Sequence, residues 1–215
     1  CALSRDGVDD QIDHGDIAAV DLAAALTWMF WFFYDVAVVS DGVIGKGTNL
    51  LSYVPSSDAT MLASGQSATW EKTTATGALV TGVWAHWTYV YDGSLAAASR
   101  LKIFKDGVAQ TMAGTDPGTT LLDAGTAVVT VGTTSGFGFS DAKVALLKMW
   151  SVALSAGELL QEVHSYRPVR TANLLLWAPY DDGTFARDYS GAGNHGTVTG
   201  ALQIAGPPVS YGGEP

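Results

Sequence analysis

The run from Leu26 to Tyr34 constrains the fold of this chain more than any other feature. Its side chains are aromatic almost throughout, which is typical of a β-strand that is buried on both faces or that buries its outer face in an interface. The wider apolar stretch, 22–33, is too short to cross a bilayer as a helix, and Asp35 follows it closely. The run therefore predicts a buried strand and no transmembrane helix.

Asp-Gly turns separate further strand-like segments. Residues 84–91 run up to the turn Asp92-Gly93. Residues 101–105 and 108–112 flank Asp106-Gly107, which is the strongest short-range signal for a hairpin. Further strands are predicted at 127–132, 144–150 and 173–177, with loops or weak edge strands at 55–68 and 112–126.

One segment has the pattern of a helix. Ser155 is a good N-cap, and Glu158 three residues later completes a capping box, in which each side chain accepts a hydrogen bond from the other residue's backbone N–H. The sequence therefore predicts one short helix near 155–164.

The acidic residues also favour strands joined by turns. Only four of the 21 acidic residues are glutamates and the other seventeen are aspartates. Aspartate is a turn and cap residue, whereas glutamate and lysine populate helix surfaces. The net charge of −10 leaves too few cations to neutralise a row of phosphates, which excludes nucleic acid as a partner.

A length of 215 residues fits one large all-β domain. We assign this domain to 1–205 and a Pro/Gly-rich tail to 206–215, where the tail is either a flexible linker or an arm that orders against a neighbour. Cys1 is the one cysteine, so no disulfide can form within the chain. A cysteine in this place fits either a lipidated secreted protein or a processing artefact.

The motifs of the common catalytic sites are missing from the sequence. A glycosidase needs two carboxylates across the scissile bond, and on one strand this takes an E-x-D pattern with a period of two. No such pattern occurs, although Glu71 is a weak exception as a glutamate in a strand, and no G-x-S-x-G elbow occurs. The four histidines are too far apart for a zinc motif. We therefore predict that the protein is not an enzyme.

The stretch 181–197 is the most informative one for function. It holds four glycines, three aspartates and the pair Asn194-His195, with almost nothing apolar to bury. Such a segment forms a tight surface loop, whose side-chain oxygens and backbone carbonyls are able to bind a ligand.

Five motifs together resemble the laminin-G-like, concanavalin A-like jelly-roll domains. Residues 3–10 are similar to the family's opening L-S-F-D-G-x-D-D, and residues 188–197 are similar to its closing D-x-S-G-N-G-N-H-G-T. Arg5 replaces the usual aromatic residue and Ala192 the usual asparagine. The strand W-x-H-x-A-x-x-Y-D-G, the hairpin L-x-I-Y-x-D-G and the strand-to-helix segment R-I-W-N-R-A-L-S resemble 84–93, 101–107 and 149–155.

The resemblance covers most of the chain and implies an all-β fold. We expect a two-sheet antiparallel jelly-roll sandwich of the concanavalin A type, with one short helix near 155–164. The inward positions of its two sheets should hold Trp28, Phe30, Phe32, Trp87, Tyr89, Ile103, Leu147, Met149 and Leu176.

The resemblance also implies a calcium site. The first and last strands of this fold commonly pair, which would bring the turn with Asp9 and Asp10 near Asp188 and Asn194. These four residues are the expected oxygen ligands of calcium, and no other cofactor is expected. The alternative is that Asp188 and Asn194 hydrogen-bond their own loop, while the turn at Asp6 is only a turn.

Aromatic side chains suggest one further ligand contact. Six of the seven tryptophans fall in predicted strands, where core packing is the usual role. Trp70 lies among Thr and Lys residues, so we predict that it is exposed and serves as a platform on which a sugar stacks. His86 lies within an aromatic strand and is predicted to be a core or interface histidine.

Two functions are compatible with these sequence features, and a hydrolase with hidden carboxylates is discounted. The first is a non-catalytic structural or interaction subunit of an extracellular or virion surface, which associates with itself or with other surface proteins. The alternative is a carbohydrate-binding lectin module, with or without calcium, whose partner is a glycan. Both place the chain outside the cell, as a secreted protein or on a virion surface.

Overall fold

The computed structural model describes residues 1–36, 41–47, 50–54, 62–65, 70–134, 137–182 and 185–208. In these ranges one α-helix, α1 (Ala156–Val163), accompanies the strands. The strands are β1 (Ala2–Asp6), β2 (Gln11–Asp13), β3 (Ala25–Tyr34), β4 (Asp41–Lys46), β5 (Leu50–Val54), β6 (Leu62–Gly65), β7 (Trp70–Thr74), β8 (Trp84–Asp92), β9 (Leu101–Lys105), β10 (Val108–Ala109), β11 (Met112–Thr115), β12 (Val129–Val131), β13 (Gly138–Phe139), β14 (Asp141–Trp150), β15 (Leu174–Ala178), β16 (Phe185–Ala186), β17 (Gly196–Thr199) and β18 (Leu202–Ile204).

These strands form two sheets that pack face to face, which confirms the predicted sandwich. Sheet A has the strand order β10-β9-β8-β3-β14-β1-β18, and β15 also pairs with β14. Sheet B has the order β11-β7-β6-β5-β4-β12-β2-β17-β16, and β13 also pairs with β4. Among the pairs of described strands, only β13 with β4 is parallel.

The predicted core is confirmed in full. Strand β3 lies in the middle of sheet A between β8 and β14, and it turns Trp28, Phe30 and Phe32 toward sheet B. The ring of Trp28 stacks on that of Tyr89 with centroids 4.9 Å apart. All nine residues expected inside, from Trp28 to Leu176, are fully buried in one cluster.

The opposite face of β3 explains why its sequence is aromatic without alternation. Met29 lies under α1 and packs with Leu159, while Trp31 packs with Ala145 on the same outer face. The next outward residue, Phe33, is half-buried. Strand β3 is thus a core strand whose outer face is also largely covered.

The predicted capping box starts α1. Ser155 Oγ accepts a hydrogen bond from the backbone N–H of Glu158, and the Glu158 carboxylate accepts one from the backbone N–H of Ser155 at 2.8 Å. The hydrogen bonds that the Glu158 carboxylate accepts from Ser155 and from Arg170 lower the pKa of Glu158 to about 2. The helix lies across the outer face of sheet A.

A buried ion pair anchors α1 to the sheet. Lys148 Nζ, on β14, donates to the carboxylate of Glu162 at 2.9 Å and to the carbonyl of Ser165 at 2.7 Å. The other carboxylate oxygen of Glu162 accepts from the backbone N–H groups of Val169 and Arg170. This pair therefore holds both the helix and the segment that follows it.

The two ends of the domain lie side by side, as predicted. Strand β1 pairs antiparallel with β18, with Leu3 opposite Gln203. The tail assigned to 206–215 begins just after β18, and its residues 209–215 lie outside the described ranges. No helix among the described residues is long and apolar enough to cross a membrane.

Part of sheet B differs from the sequence prediction. Strand β6 falls within 55–68, which we expected to be a loop or a weak edge strand, yet it pairs with β5 and β7 inside the sheet. The rest of 55–68 lies outside the described residues. Strand β11, within 112–126, is an edge strand as expected.

Candidate functional site

The loop between β15 and β17 is folded by its own side chains. One carboxylate oxygen of Asp188 accepts hydrogen bonds from the backbone N–H groups of Trp177 (3.0 Å) and Ser190 (2.8 Å). The other accepts from the Ser190 hydroxyl (2.8 Å) and from the backbone N–H of Asn194 (2.9 Å). Both oxygens of Asp188 are thus occupied within the loop.

Asn194 ties this loop to the neighbouring strands. Its side-chain amide donates to the carbonyl of Leu175, and its own carbonyl accepts from Nδ1 of His14 at 3.0 Å. Because Nδ1 of His14 donates, Nε2 is the acceptor of the hydroxyl of Tyr180 at 3.0 Å. Burial lowers the pKa of His14, although the bond to Asn194 opposes this.

Gly196 allows the loop to close on these residues. A Cβ at this position would lie 2.6 Å from the Cβ of Ala186 and 2.8 Å from Cε1 of His14. Both distances are shorter than any ordinary contact, so only glycine fits here. The sequence Asn194-His195-Gly196 therefore encodes a close approach of the loop to β2.

A cavity of about 480 Å³ opens beside this loop, and we call it the loop cavity. Its lining residues combine hydrogen-bond donors with acceptors, and they are Asp182, Arg187, His195, Gly196 and Thr197.

The protonation of His195 is set by the loop itself. Its Nδ1 accepts the backbone N–H of Asp188 at 3.1 Å, so in the neutral ring Nε2 carries the proton. The cavity therefore offers the guanidinium of Arg187 and the imidazole N–H as donors, and the Asp182 carboxylate as an acceptor.

Aromatic side chains border the loop cavity. The guanidinium carbon of Arg187 lies 5.4 Å from the ring centroid of Tyr189, whose side chain is 43% exposed. The ring of Tyr189 lies 5.7 Å from that of Trp177, which in turn contacts the ring of Tyr166. Apolar rings beside convergent donors and acceptors are the usual composition of a site for a polar, hydroxyl-bearing ligand.

The four residues predicted to bind calcium are not brought together. Asp9 and Asp10 lie with Asp6, and their carboxylate oxygens are within 4.8 Å of one another. Asp188 and Asn194 lie at the other end of β2, where Asn194 contacts His14. At the Asp10 end, the neighbour is instead Gly200, where an added Cβ would touch the Asp10 carboxylate.

The separation between the two groups follows from the strand geometry. Asp10 and His14 are four residues apart along β2, which corresponds to about 13 Å. The four residues therefore do not form one site. Asp188 is bonded within its own loop, and the side-chain amide of Asn194 donates to Leu175 on β15.

The turn with Asp6, Asp9 and Asp10 has its own surroundings. Oxygens of the cluster accept backbone N–H groups within the turn, from Asp6 at 2.8 Å and from Val8 at 2.9 Å. Three carboxylates match the oxygen ligands that calcium takes. The turn borders a cavity of about 570 Å³ that also contains Asp35, Asp141 and Lys143. Burial raises the pKa of Asp141, and the nearby charge of Asp35 raises it further.

Trp70 is not the exposed platform that its neighbours in sequence suggested. It begins β7, is 4% exposed and belongs to the core cluster. The alternation of β7 turns Trp70, Lys72 and Thr74 to the buried side. His86 is buried, as predicted, and packs edge-on against Trp31.

The comparisons with known proteins agree with the fold. Residues 6–160 match the family model of the concanavalin A-like lectin/glucanases superfamily. No curated protein sequence matches the chain closely enough to count as a relative.

Three solved structures share the architecture at low sequence identity. A candidate carbohydrate-binding protein from Bacteroides ovatus is 17% identical with a TM-score of 0.71, over 98% of this chain and 61% of that one. Domain 4 of an extracellular arabinanase from Geobacillus stearothermophilus, solved with arabinotriose, is 14% identical with a TM-score of 0.55, over 75% and 76%. The binding domain of Paraclostridial Mosquitocidal Protein 1 is 10% identical with a TM-score of 0.54, over 77% and 46%. This chain thus spans 61% of the Bacteroides protein's length.

Proposed function

Because the chain belongs to the concanavalin A-like lectin/glucanase superfamily, we propose that it is a non-catalytic carbohydrate-binding module that holds a glycan in the loop cavity. The observation that carries this proposal is the lining of that cavity. Arg187 and His195 can donate to sugar oxygens, and Asp182 can accept from sugar hydroxyls. Two of the three fold neighbours support it, since one is a candidate carbohydrate-binding protein and one was solved with arabinotriose.

The proposal treats the chain as a binding module rather than an enzyme. A glycosidase needs two carboxyl groups that face each other across the sugar. Of the loop cavity's described lining, Asp182 alone carries a carboxylate. One acceptor with two cationic or polar donors suits recognition of hydroxyl groups, not cleavage.

A glycan array with purified protein tests this function. We expect binding to a defined set of glycans by the natural chain, and at least tenfold weaker binding by Arg187→Ala, because a charge-assisted hydrogen bond contributes about 1.5–3 kcal/mol. Arg100→Ala is the matched control, since Arg100 bonds only to the carbonyls of Leu95 and Pro117 elsewhere on the surface. Equal binding by both variants contradicts the proposal.

A second function, self-association in an extracellular or virion surface assembly, rests on a different observation. Strand β18 forms one edge of sheet A, and its Leu202 is 71% exposed. An edge strand that carries apolar side chains and lacks charged ones readily forms hydrogen bonds with a strand of another chain. Light scattering at micromolar concentration should then give more than one copy for the natural chain and a monomer for Leu202→Asp. The control is Leu160→Asp on α1, which is also exposed but does not lie on an edge strand. A monomeric natural chain contradicts this function.

Calcium binding by the Asp6 turn stays a prediction.

A further inference from the structure

The outer face of sheet A is divided into two halves. Helix α1 covers one half, where Met29, Leu154 and Leu159 form a closed cluster. On the other half, Trp31 and Leu146 carry a second cluster, and half-buried aromatic side chains pack against it. Aromatic rings at the surface of a sheet are unusual unless they meet a partner or a ligand.

Two groups of rings lie on this shared cluster, and we call them together the aromatic row. It begins at the loop cavity, where Tyr189 contacts Trp177, and Trp177 packs against the same cluster as Trp31 and Trp84. At its far end the ring of Trp84 lies 5.6 Å from that of Phe33. The members of the row are Tyr189, Trp177, Tyr166, Trp31, Trp84 and Phe33.

The register of sheet A gives the length of the row. Trp177 is opposite Lys148, which is opposite Met29, while Trp84 is opposite Phe33 on β3. Trp177 and Trp84 are therefore three strands apart and about four residues offset, which corresponds to roughly 20 Å. A ligand that fills the loop cavity and also reaches Trp84 must be extended.

The charges beside the row favour an uncharged ligand. Lys143 lies over the ring of Phe33, but its ammonium is already paired with Asp35. The whole chain carries a charge of −10, which repels sulfated or other polyanionic chains.

We propose that the aromatic row extends the loop cavity into a binding surface for a linear, uncharged glycan longer than a disaccharide. This inference rests on the proposed function of the loop cavity. The cavity holds one end of the glycan through polar contacts, and the ring of Trp84 holds the other by contact with a sugar face. A glycan is preferred over a second copy of the chain because the row is continuous with the polar loop cavity through Tyr189 and Arg187.

Isothermal calorimetry with cello-, xylo- and arabino-oligosaccharides, from disaccharide to hexasaccharide, tests the inference. For a series that binds, affinity should rise with chain length. Trp84→Leu, which keeps apolar bulk but loses the flat ring, should weaken hexasaccharide binding about tenfold and leave disaccharide binding unchanged. Phe137→Leu is the matched control, because this half-buried ring packs on Tyr53 of sheet B, away from the row.

The outcomes separate this inference from the proposed function. Equal affinity for disaccharide and hexasaccharide overturns the extended surface but leaves the loop cavity as a sugar site. The same holds if a heparin oligosaccharide binds more tightly than the uncharged series, or if Trp84→Leu turns an oligomer into a monomer without weakening hexasaccharide binding. Binding of none of these series, with binding on the glycan array retained, overturns the extended surface alone. No binding in either assay, with the thermal transition of each protein intact, overturns both proposals.

Discussion

Replacing Lys148 by Met should destabilise the whole domain, because the change strands a buried carboxylate. The side chains of Lys148 and Glu162 are both about 1% exposed. Lys148 Nζ donates three hydrogen bonds, to the Glu162 carboxylate, to the Glu162 carbonyl and to the Ser165 carbonyl. Without the ammonium, the Glu162 carboxylate keeps only two backbone donors and no opposite charge.

The size of the effect follows from this environment. Removing one partner of a buried ion pair costs about 3–5 kcal/mol. For a chain of this length such a loss lowers the melting temperature by about 6–20 °C. The matched control is Lys143→Met. Lys143 also pairs with a carboxylate, that of Asp35, but this pair is partly exposed, so the expected cost is at most about 1 kcal/mol.

Urea unfolding followed by tryptophan fluorescence measures both variants. The double variant Lys148→Met/Glu162→Gln removes both charges of this pair, so it should cost clearly less than the sum of the two single variants. If Lys148→Met costs no more than Lys143→Met, then the buried pair does not anchor α1 and the reasoning is refuted.

Three further predictions concern acid, the loop and calcium. Burial lowers the pKa of His86 to about 3, so the unfolded chain binds the proton more tightly than the folded one. The free energy of unfolding should therefore fall by up to about 1.4 kcal/mol per pH unit as the pH drops from about 6.5 toward 3. Urea titrations of His86→Gln should show a shallower decline over that window, and an unchanged slope would contradict the assignment. Gly196→Ala should lower the free energy of unfolding by about 1–3 kcal/mol and abolish glycan binding, because its Cβ would overlap His14. Gly125→Ala is the control: its Cβ has open space, so it should keep glycan binding despite backbone strain. Chelation of calcium should leave glycan affinity unchanged, since the loop cavity is lined by residues away from the Asp6 turn, and a calcium-dependent affinity measured by calorimetry would refute this.

Much of sheet A follows from the sequence because its signals are local. The aromatic run of β3, the Asp106-Gly107 turn and the capping box at Ser155 each report on neighbours within a few residues, and the structure confirms all three. Sheet B is harder to predict. Strand β4 is buried at every position and holds two glycines, so it has neither alternation nor a β-branched run.

Partners distant in sequence decide burial at two positions, and at one of them, Trp70, the sequence prediction was wrong. Trp70 stands among polar residues, yet Lys72 beside it is buried because Asp116 pairs with it. Arg5 stands where the family has an aromatic residue and is still buried, with its guanidinium bonded to Ser140. Burial lowers the pKa of this arginine to about 10.

The composition of 181–197 indicates a candidate binding loop, but it does not indicate which of its residues line the loop cavity. Asp188 and Asn194 are the residues that chemistry alone would choose as ligands, but Asp188 caps its own loop and the Asn194 amide bonds to Leu175 on β15. That use leaves Arg187 and His195 to face the loop cavity. Ser190, two residues after Asp188, has the spacing of a turn that the aspartate side chain caps, and this would have indicated capping rather than binding.

An NMR titration of the ¹⁵N-labelled protein with a glycan found on the array tests the central claim most directly, because the seven indole N–H signals report on separate places in the fold. If the glycan sits in the loop cavity, the Trp177 signal should shift in proportion to saturation, while the signals of Trp28 and Trp70 in the core stay unchanged. Saturable binding that leaves the signal of Trp177 and the backbone signals of Arg187 and His195 unmoved would contradict the account.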